Sequence, residues 1–173
     1  ISGLIKPTSG EVLFDGTRVN DLPTRERHIA QVFQFPVVYD TMSVFDNLAF
    51  PLRNRGQDES VVRARTGEIM ELLDLSKLAN TKSGSLNPAE KQIVSLGRGI
   101  ARTDTMAVLL DEPLTVIDPV LKLDLRRKLR LAQHELKLTM IYVTHDQHEA
   151  LTFADHVTIM KDGAVMQSDT PEA

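Results

Sequence analysis

The stretch Ala107-Val-Leu-Leu-Asp-Glu-Pro-Leu-Thr-Val-Ile-Asp118 decides the fold. An apolar run ends in two adjacent carboxylates, and a third follows after a short loop. Such a run, bounded by polar residues, suits a buried parallel strand. Asp111 and Glu112 are then expected at its carboxyl end, where open α/β sheets bind ligands. Successive side chains on an extended chain point to opposite sides, so Asp111 can hold a metal-bound water while Glu112 faces an attacking water. Taken alone, Leu-Leu-Asp-Glu also reads as an acidic strand end leading into a loop; its neighbours separate the two.

Residues 140–143 form a second apolar run, which ends in Thr144-His145-Asp146. Between the two runs, Leu121, Leu125, Leu129, Ala132, Leu136 and Leu138 recur at helical spacing, with Arg126, Arg127, Lys128 and Arg130 on the solvated face. Strand, crossover helix, strand gives parallel neighbours with both carboxyl ends on one edge, so Asp111, Glu112 and His145 should converge. A neutral imidazole there could hydrogen-bond a terminal phosphate and the attacking water together. A transition-metal cluster of His145, Asp146, His148 and Glu149 is the lesser alternative. Otherwise His148 and Glu149 read as solvent-facing residues of the following helix, and His28, His134 and His156 need no role.

Upstream, residues 11–14 and 18–19 flank Asp15-Gly16-Thr17 as a hairpin, an antiparallel edge. Residues 29–34 read as a strand that Pro36 stops, leaving Gln34 at its end. Residues 43–53 read as a short helix capped by Ser43, and residues 61–75 as a longer one burying Val62, Ile69, Leu72 and Leu73. Residues 54–60 form a polar linker, and Phe35 and Tyr39 are expected to be exposed as at an interface. Leu86-Asn-Pro-Ala-Glu-Lys-Gln92 is a strong helix start: Asn87 caps, Pro88 suits the first position and Glu90 completes a capping box. Its dipole suits a phosphate, although an ordinary capped helix would look the same.

Val32-Phe-Gln34, Leu110-Asp-Glu-Pro113, Thr115-Val-Ile-Asp118 and Val143-Thr-His-Asp-Gln147 resemble, in order and spacing, the motifs of ABC-transporter ATPase subunits, nearly end to end. Residues 39–52 and 145–155 most resemble importer subunits for sugars and polyols, glycerol importers above all. The resemblance implies an α/β fold of the P-loop NTPase type, with a parallel sheet core, an antiparallel edge and a helical insertion. Residues 1–34 and 103–173 would form the sheet core, and residues 35–102 the glutamine loop and helical subdomain. It implies ATP and Mg2+, with Gln34 reaching metal and water, Asp111 serving the metal, Glu112 acting as general base, Asp118 as the D-loop aspartate and His145 as the switch histidine. Permease subunits, a second ATPase subunit and, indirectly, a solute-binding protein would be the partners. The subunit would be cytoplasmic, peripheral on the inner face of the membrane.

Two departures stand against that pattern. None of the nine glycines is followed by lysine, so the phosphate-cradling Gly-x-x-x-x-Gly-Lys-Ser/Thr is absent. The opening residues resemble the segment just after that loop's helix, and the expectation is an amino-terminally truncated, inactive piece, with a shortened pseudo-ATPase as the competitor. Second, residues 86–92 replace the family's Leu-Ser-Gly-Gly-Gln signature. Pro88 offers no N–H, and Ala89 adds a methyl group where a glycine would let the backbone approach the phosphate. Asn87, Ala89 and Glu90 remain the nucleotide-facing candidates there. A catalytically silent subunit that docks a permease or an active ATPase is therefore the alternative function.

The 173 residues, 42% hydrophobic and 25% charged, suit one globular domain. A net charge of −4 speaks against nucleic acid as a partner. A DNA-repair ATPase would also need coiled-coil or DNA-binding parts that the sequence lacks. Zero cysteines exclude disulfides and thiolate metal sites, and no apolar stretch is long enough to span a bilayer.

Overall fold

The computed structural model describes residues 1–115 and 117–172; Val116, inside the decisive stretch, and Ala173 lie outside the described residues. In chain order the elements are β1 (Leu13–Phe14), β2 (Thr17–Arg18), β3 (Ile29–Val32), α1 (Val44–Arg53), α2 (Glu59–Leu72), α3 (Pro88–Ala101), β4 (Ala107–Asp111), α4 (Pro119–Leu136), β5 (Met140–Val143), α5 (Gln147–Phe153), β6 (Val157–Lys161) and β7 (Ala164–Asp169). Strands β3, β4 and β5 form a parallel sheet in that order. Strand β5 falls where the apolar run puts it, and α4 covers the expected crossover but begins at Pro119 and stops at Leu136, where Lys137 turns left-handed (φ 50°) and leaves Leu138 outside the helix. The β1–β2 hairpin turns through Asp15 and Gly16, both at positive φ (47° and 77°), as a two-residue primed turn requires. It is a two-stranded sheet of its own, not hydrogen-bonded to the parallel strands.

One buried cluster joins Val32, Val108 and Leu110 of the sheet to Leu48, Ile69, Leu96 and Ile100 of α1–α3 and to Leu125 and Leu129 of α4. Helix α3 is its centre, because two glycines let it approach closely. A Cβ on Gly99 would lie 2.8 Å from Val32 Cγ2, and one on Gly97 2.6 Å from Leu48 Cδ2. Helix interiors disfavour glycine; here the loss is offset by close packing. Helix α2 starts two residues before the sequence suggests and ends at Leu72, with Val62, Ile69 and Leu73 fully buried and Leu72 only partly so.

Candidate functional site

Register lines up the carboxyl ends of the sheet. Val32, Leu110 and Tyr142 are partners across the three strands, so Gln34, Glu112 and Thr144 each stand two residues beyond one line, on strands about 4.8 Å apart. Gln34 thus follows β3 by two residues rather than ending it. Asp111, the last residue of β4, is registered against Val143.

Asp111 and Glu112 do not alternate as an extended chain would. Asp111 stays in the strand and is exposed, whereas Glu112 turns into the left-handed region at φ 43°. A non-glycine residue there costs about 1–3 kcal/mol and persists only where its surroundings over-determine it. The Glu112 N–H donates to Val143 O (2.9 Å) and its carbonyl accepts from Thr115 N (3.3 Å). The turn swings the carboxylate toward the neighbouring strand, where its Oε1 lies 3.1 Å from His145 Nδ1 and its Oε2 accepts from the Thr115 hydroxyl (3.1 Å). The expected meeting of Glu112 and His145 is therefore a direct contact. The hydrogen bond from His145 holds the Glu112 carboxyl below the usual glutamate range; desolvation opposes this, and the Thr115 bond and His145 charge add to it. An ionised carboxylate only accepts, so Nδ1 carries the hydrogen.

The remaining candidates are occupied in different ways. Asp118 Oδ1 accepts from Val120 N and Leu121 N (3.1 Å each), capping α4. Asn87 and Glu90 form the expected capping box: Glu90 N donates to Asn87 Oδ1 (2.9 Å) and Asn87 N to Glu90 Oε2 (3.0 Å). The Lys91 N–H goes to Asn87 O (2.9 Å), which leaves the Ala89 N–H as the amide this helix start can still offer a ligand. Gln34 is half-buried. The Asp111 carboxylate makes no hydrogen bond or ion pair among the described residues, although the backbone of Asp111 stays in the sheet.

Residues 1–115 match the ABC transporter family. The chain belongs to that family. It is 40% identical to the uncharacterized ABC transporter ATP-binding protein YcjV of Escherichia coli O157:H7 over 172 residues, 99% of this chain and 48% of that protein. It is also 40% identical to the sn-glycerol-3-phosphate import ATP-binding protein UgpC of Vibrio cholerae over 171 residues, 99% of this chain and 46% of that one. The chain thus spans about half the length of the curated relatives it matches. Among solved structures, cbiO1 from Clostridium perfringens, part of the ABC transporter complex cbiONQ, superposes with a TM-score of 0.89 at 26% identity, covering 99% of this chain and 70% of that one. The α/β fold of the ABC ATPase type is therefore shown.

Within this ABC domain the sequence reading missed two residues. Glu149 is not solvent-facing but 5% exposed. It accepts from the hydroxyls of Tyr142 and Thr144 (3.0 Å each) and lies 3.7 Å from Lys122 Nζ. Burial, and then the Glu149 charge and hydrogen bond, push the Tyr142 phenol up. Glu149 thereby anchors the loop that carries His145. The 142/144/149 spacing, with a glutamate in the first turn after a strand, was the available signal. The second, Gln92, is fully buried on α3, one turn into a helix read only for its cap. The proposed metal cluster is not formed. His145 faces Glu112, Asp146 caps α5 through His148 N and Glu149 N (2.9 and 3.2 Å), and Glu149 is taken as described. No group of three or more His, Cys, Asp or Glu side chains placed to hold a metal ion occurs among the described residues. No helix there is long and apolar enough to cross a membrane.

Proposed function

We propose that this chain serves within the ATP-hydrolysing subunit of an ABC importer, which couples ATP binding and hydrolysis to uptake of a small carbohydrate or polyol such as glycerol or its phosphate. The observation that carries the reading is the Glu112–His145 contact beside Asp111 on the carboxyl edge of the sheet, in a chain of this family. The name of the UgpC relative supports a glycerol-type solute. Glu112 is the general base, held ionised and able to take a proton from an attacking water. In the contact seen, both carboxylate oxygens are engaged and a neutral His145 presents only a lone pair at Nε2. Turnover thus requires Glu112 to exchange the His145 bond for a water, which frees an imidazole hydrogen for the terminal phosphate.

An exposed carboxylate and an amide oxygen, Asp111 and Gln34, are the hard oxygen donors that suit Mg2+ sharing its shell with phosphate and water rather than an all-protein cage. That ion neutralises phosphate charge when bound. Asn87, Ala89, Glu90 and Asp118 face the nucleotide of a second subunit in this reading, with Ala89 N–H as the direct donor and the others fixing the helix and loop that present it. Residues 1–34 and 103–173 act as the sheet core and residues 35–102 as the helical part. An open groove of about 410 Å³, lined by Thr41, Met42, Asp46, Phe50, Arg53 and Lys82, lies beside exposed Tyr39, whose ring meets Phe50 at 4.7 Å between centroids, and would receive a permease loop at the cytoplasmic face of the membrane.

The test is Glu112→Gln in the full-length gene product assembled with its permease. ATP turnover should fall at least about 1000-fold with ATP binding retained; turnover within tenfold of the parent would refute the role. The 173 residues as they stand, lacking Gly-x-x-x-x-Gly-Lys-Ser/Thr, are expected to hydrolyse ATP negligibly. The second reading, a silent subunit that docks a permease or an active ATPase, draws on the α3 start, where proline and the capping box consume donors. It is favoured if the full-length protein binds its permease but neither binds nor hydrolyses ATP.

A further inference from the structure

Gln92 is completely buried, and its Nε2 donates to two carbonyl oxygens on different strand ends: Phe33 O (3.1 Å) and Pro113 O (2.8 Å). Both acceptors are carbonyls, so the amide's orientation is fixed by chemistry, since only the NH2 group can serve them. Its Oε1 is left buried without a partner among the described residues. A leucine or methionine would fill the same space without an unpaired carbonyl. What glutamine alone adds is the pair of bonds.

Those two bonds land next to the candidate machinery. The Phe33 carbonyl shares a planar peptide unit with the nitrogen of Gln34, so holding that oxygen fixes where Gln34 leaves the backbone. Pro113 directly follows Glu112, and its ring locks φ. Holding its carbonyl therefore restricts how the strained, left-handed Glu112 can swing. Gln92 itself sits five residues beyond the Asn87 cap, roughly 7.5 Å along α3, on a helix whose packing against β3 and α1 leaves no room for a Cβ at Gly97 or Gly99.

We infer that Gln92 is a positioning residue that ties the start of α3 to the loops of Gln34 and Glu112, making one unit of the surface offered to a second subunit and this subunit's own catalytic groups. This rests on the ATPase reading above. The bonds from Gln92 register Gln34 and Glu112 relative to each other, and displacement of the α3 start is passed to both. As a neutral donor, the amide does so without burying a charge.

The experiment compares Gln92→Met, which keeps length and volume but donates nothing, with Gln92→Glu, whose buried carboxyl takes up a proton and donates one bond in place of two. In the full-length protein with its permease, Gln92→Met should lower kcat about 10- to 100-fold, because sub-ångström misplacement of reacting groups costs rate rather than affinity. KM for ATP should move by less than about threefold and Tm by only a few degrees. Gln92→Glu should recover part of the lost kcat. In the 173-residue chain, amide hydrogen exchange in Gln92→Met should rise at residues 33–36 and 112–115 while residues 93–100 keep their protection. A kcat within twofold of the parent, or exchange rising uniformly along α3 with a collapsed Tm, overturns the inference. If the parent hydrolyses no ATP, the ATPase reading fails by itself, and the exchange pattern alone decides whether Gln92 straps the two loops.

Discussion

Helices α3 and α5 both support the carboxyl edge of the sheet, and they do it by opposite means. Helix α3 is 14 residues long and buries eight of them, among them Val94, Leu96 and Ile100 at 0% exposure. Helix α5 is seven residues long, and among the described residues its only buried side chain is Glu149. Packing secures α3, and the polar Gln92 uses that rigidity to reach outward. In α5 the polar group is the anchor itself, a carboxylate held by two hydroxyls and Lys122. A loop hung from α3 should therefore respond to changes in the core, whereas the His145 loop should respond to changes in hydrogen bonding.

The strongest way to break this contrast is in the core. Leu96→Ala should cost about 2–5 kcal/mol in urea unfolding of the chain, since the cavity cannot collapse around a helix already in close contact with β3 and α1. A cost below about 1 kcal/mol would mean that α3 is not held by packing. Next, Glu149→Ala strands the Tyr142 and Thr144 hydroxyls and should cost about 1–3 kcal/mol. Hydrogen exchange should rise at residues 144–153 and leave α3 unchanged. Loosening of both helices would show that they are one cooperative unit.

Asn87→Ala removes half of the capping box and should cost about 1 kcal/mol, fraying only the first turn of α3. The smallest effect concerns Glu112. Its carboxyl should titrate below the usual value of about 4.3 by NMR, and His145→Ala should return it upward. A carboxyl depressed in the folded state adds stability that is present above its unfolded-state pKa and lost as pH falls through the folded one. The variant should therefore match the parent below that window and be slightly less stable above it. An unshifted Glu112 in the parent would remove the His145 contact from solution.

Much of the architecture was legible because it is periodic or local. Apolar alternation and run length placed β4, β5 and the α4 crossover, and the Asn87-Pro88-x-Glu90 order placed the α3 cap, because capping needs only residues within one turn. The convergence of Glu112 and His145 was also legible, since it follows from the chirality of one strand–helix–strand unit. The left-handed turn at Glu112 was not. It depends on the Val143 carbonyl of the neighbouring strand and on a proline carbonyl gripped from α3.

The sequence by itself determined the family, the order of strands and helices from β1 to α5 and the identity of the carboxylates and histidine at the sheet edge, whereas the β6–β7 pair came only from the structure. Only the tertiary structure decided that Glu149 is buried and that Gln92 spans to Phe33 and Pro113. Burial of a polar side chain is set by partners from other elements, here 59 and 21 residues away from Gln92 along the chain. No local periodicity encodes which distant carbonyl a side chain will meet.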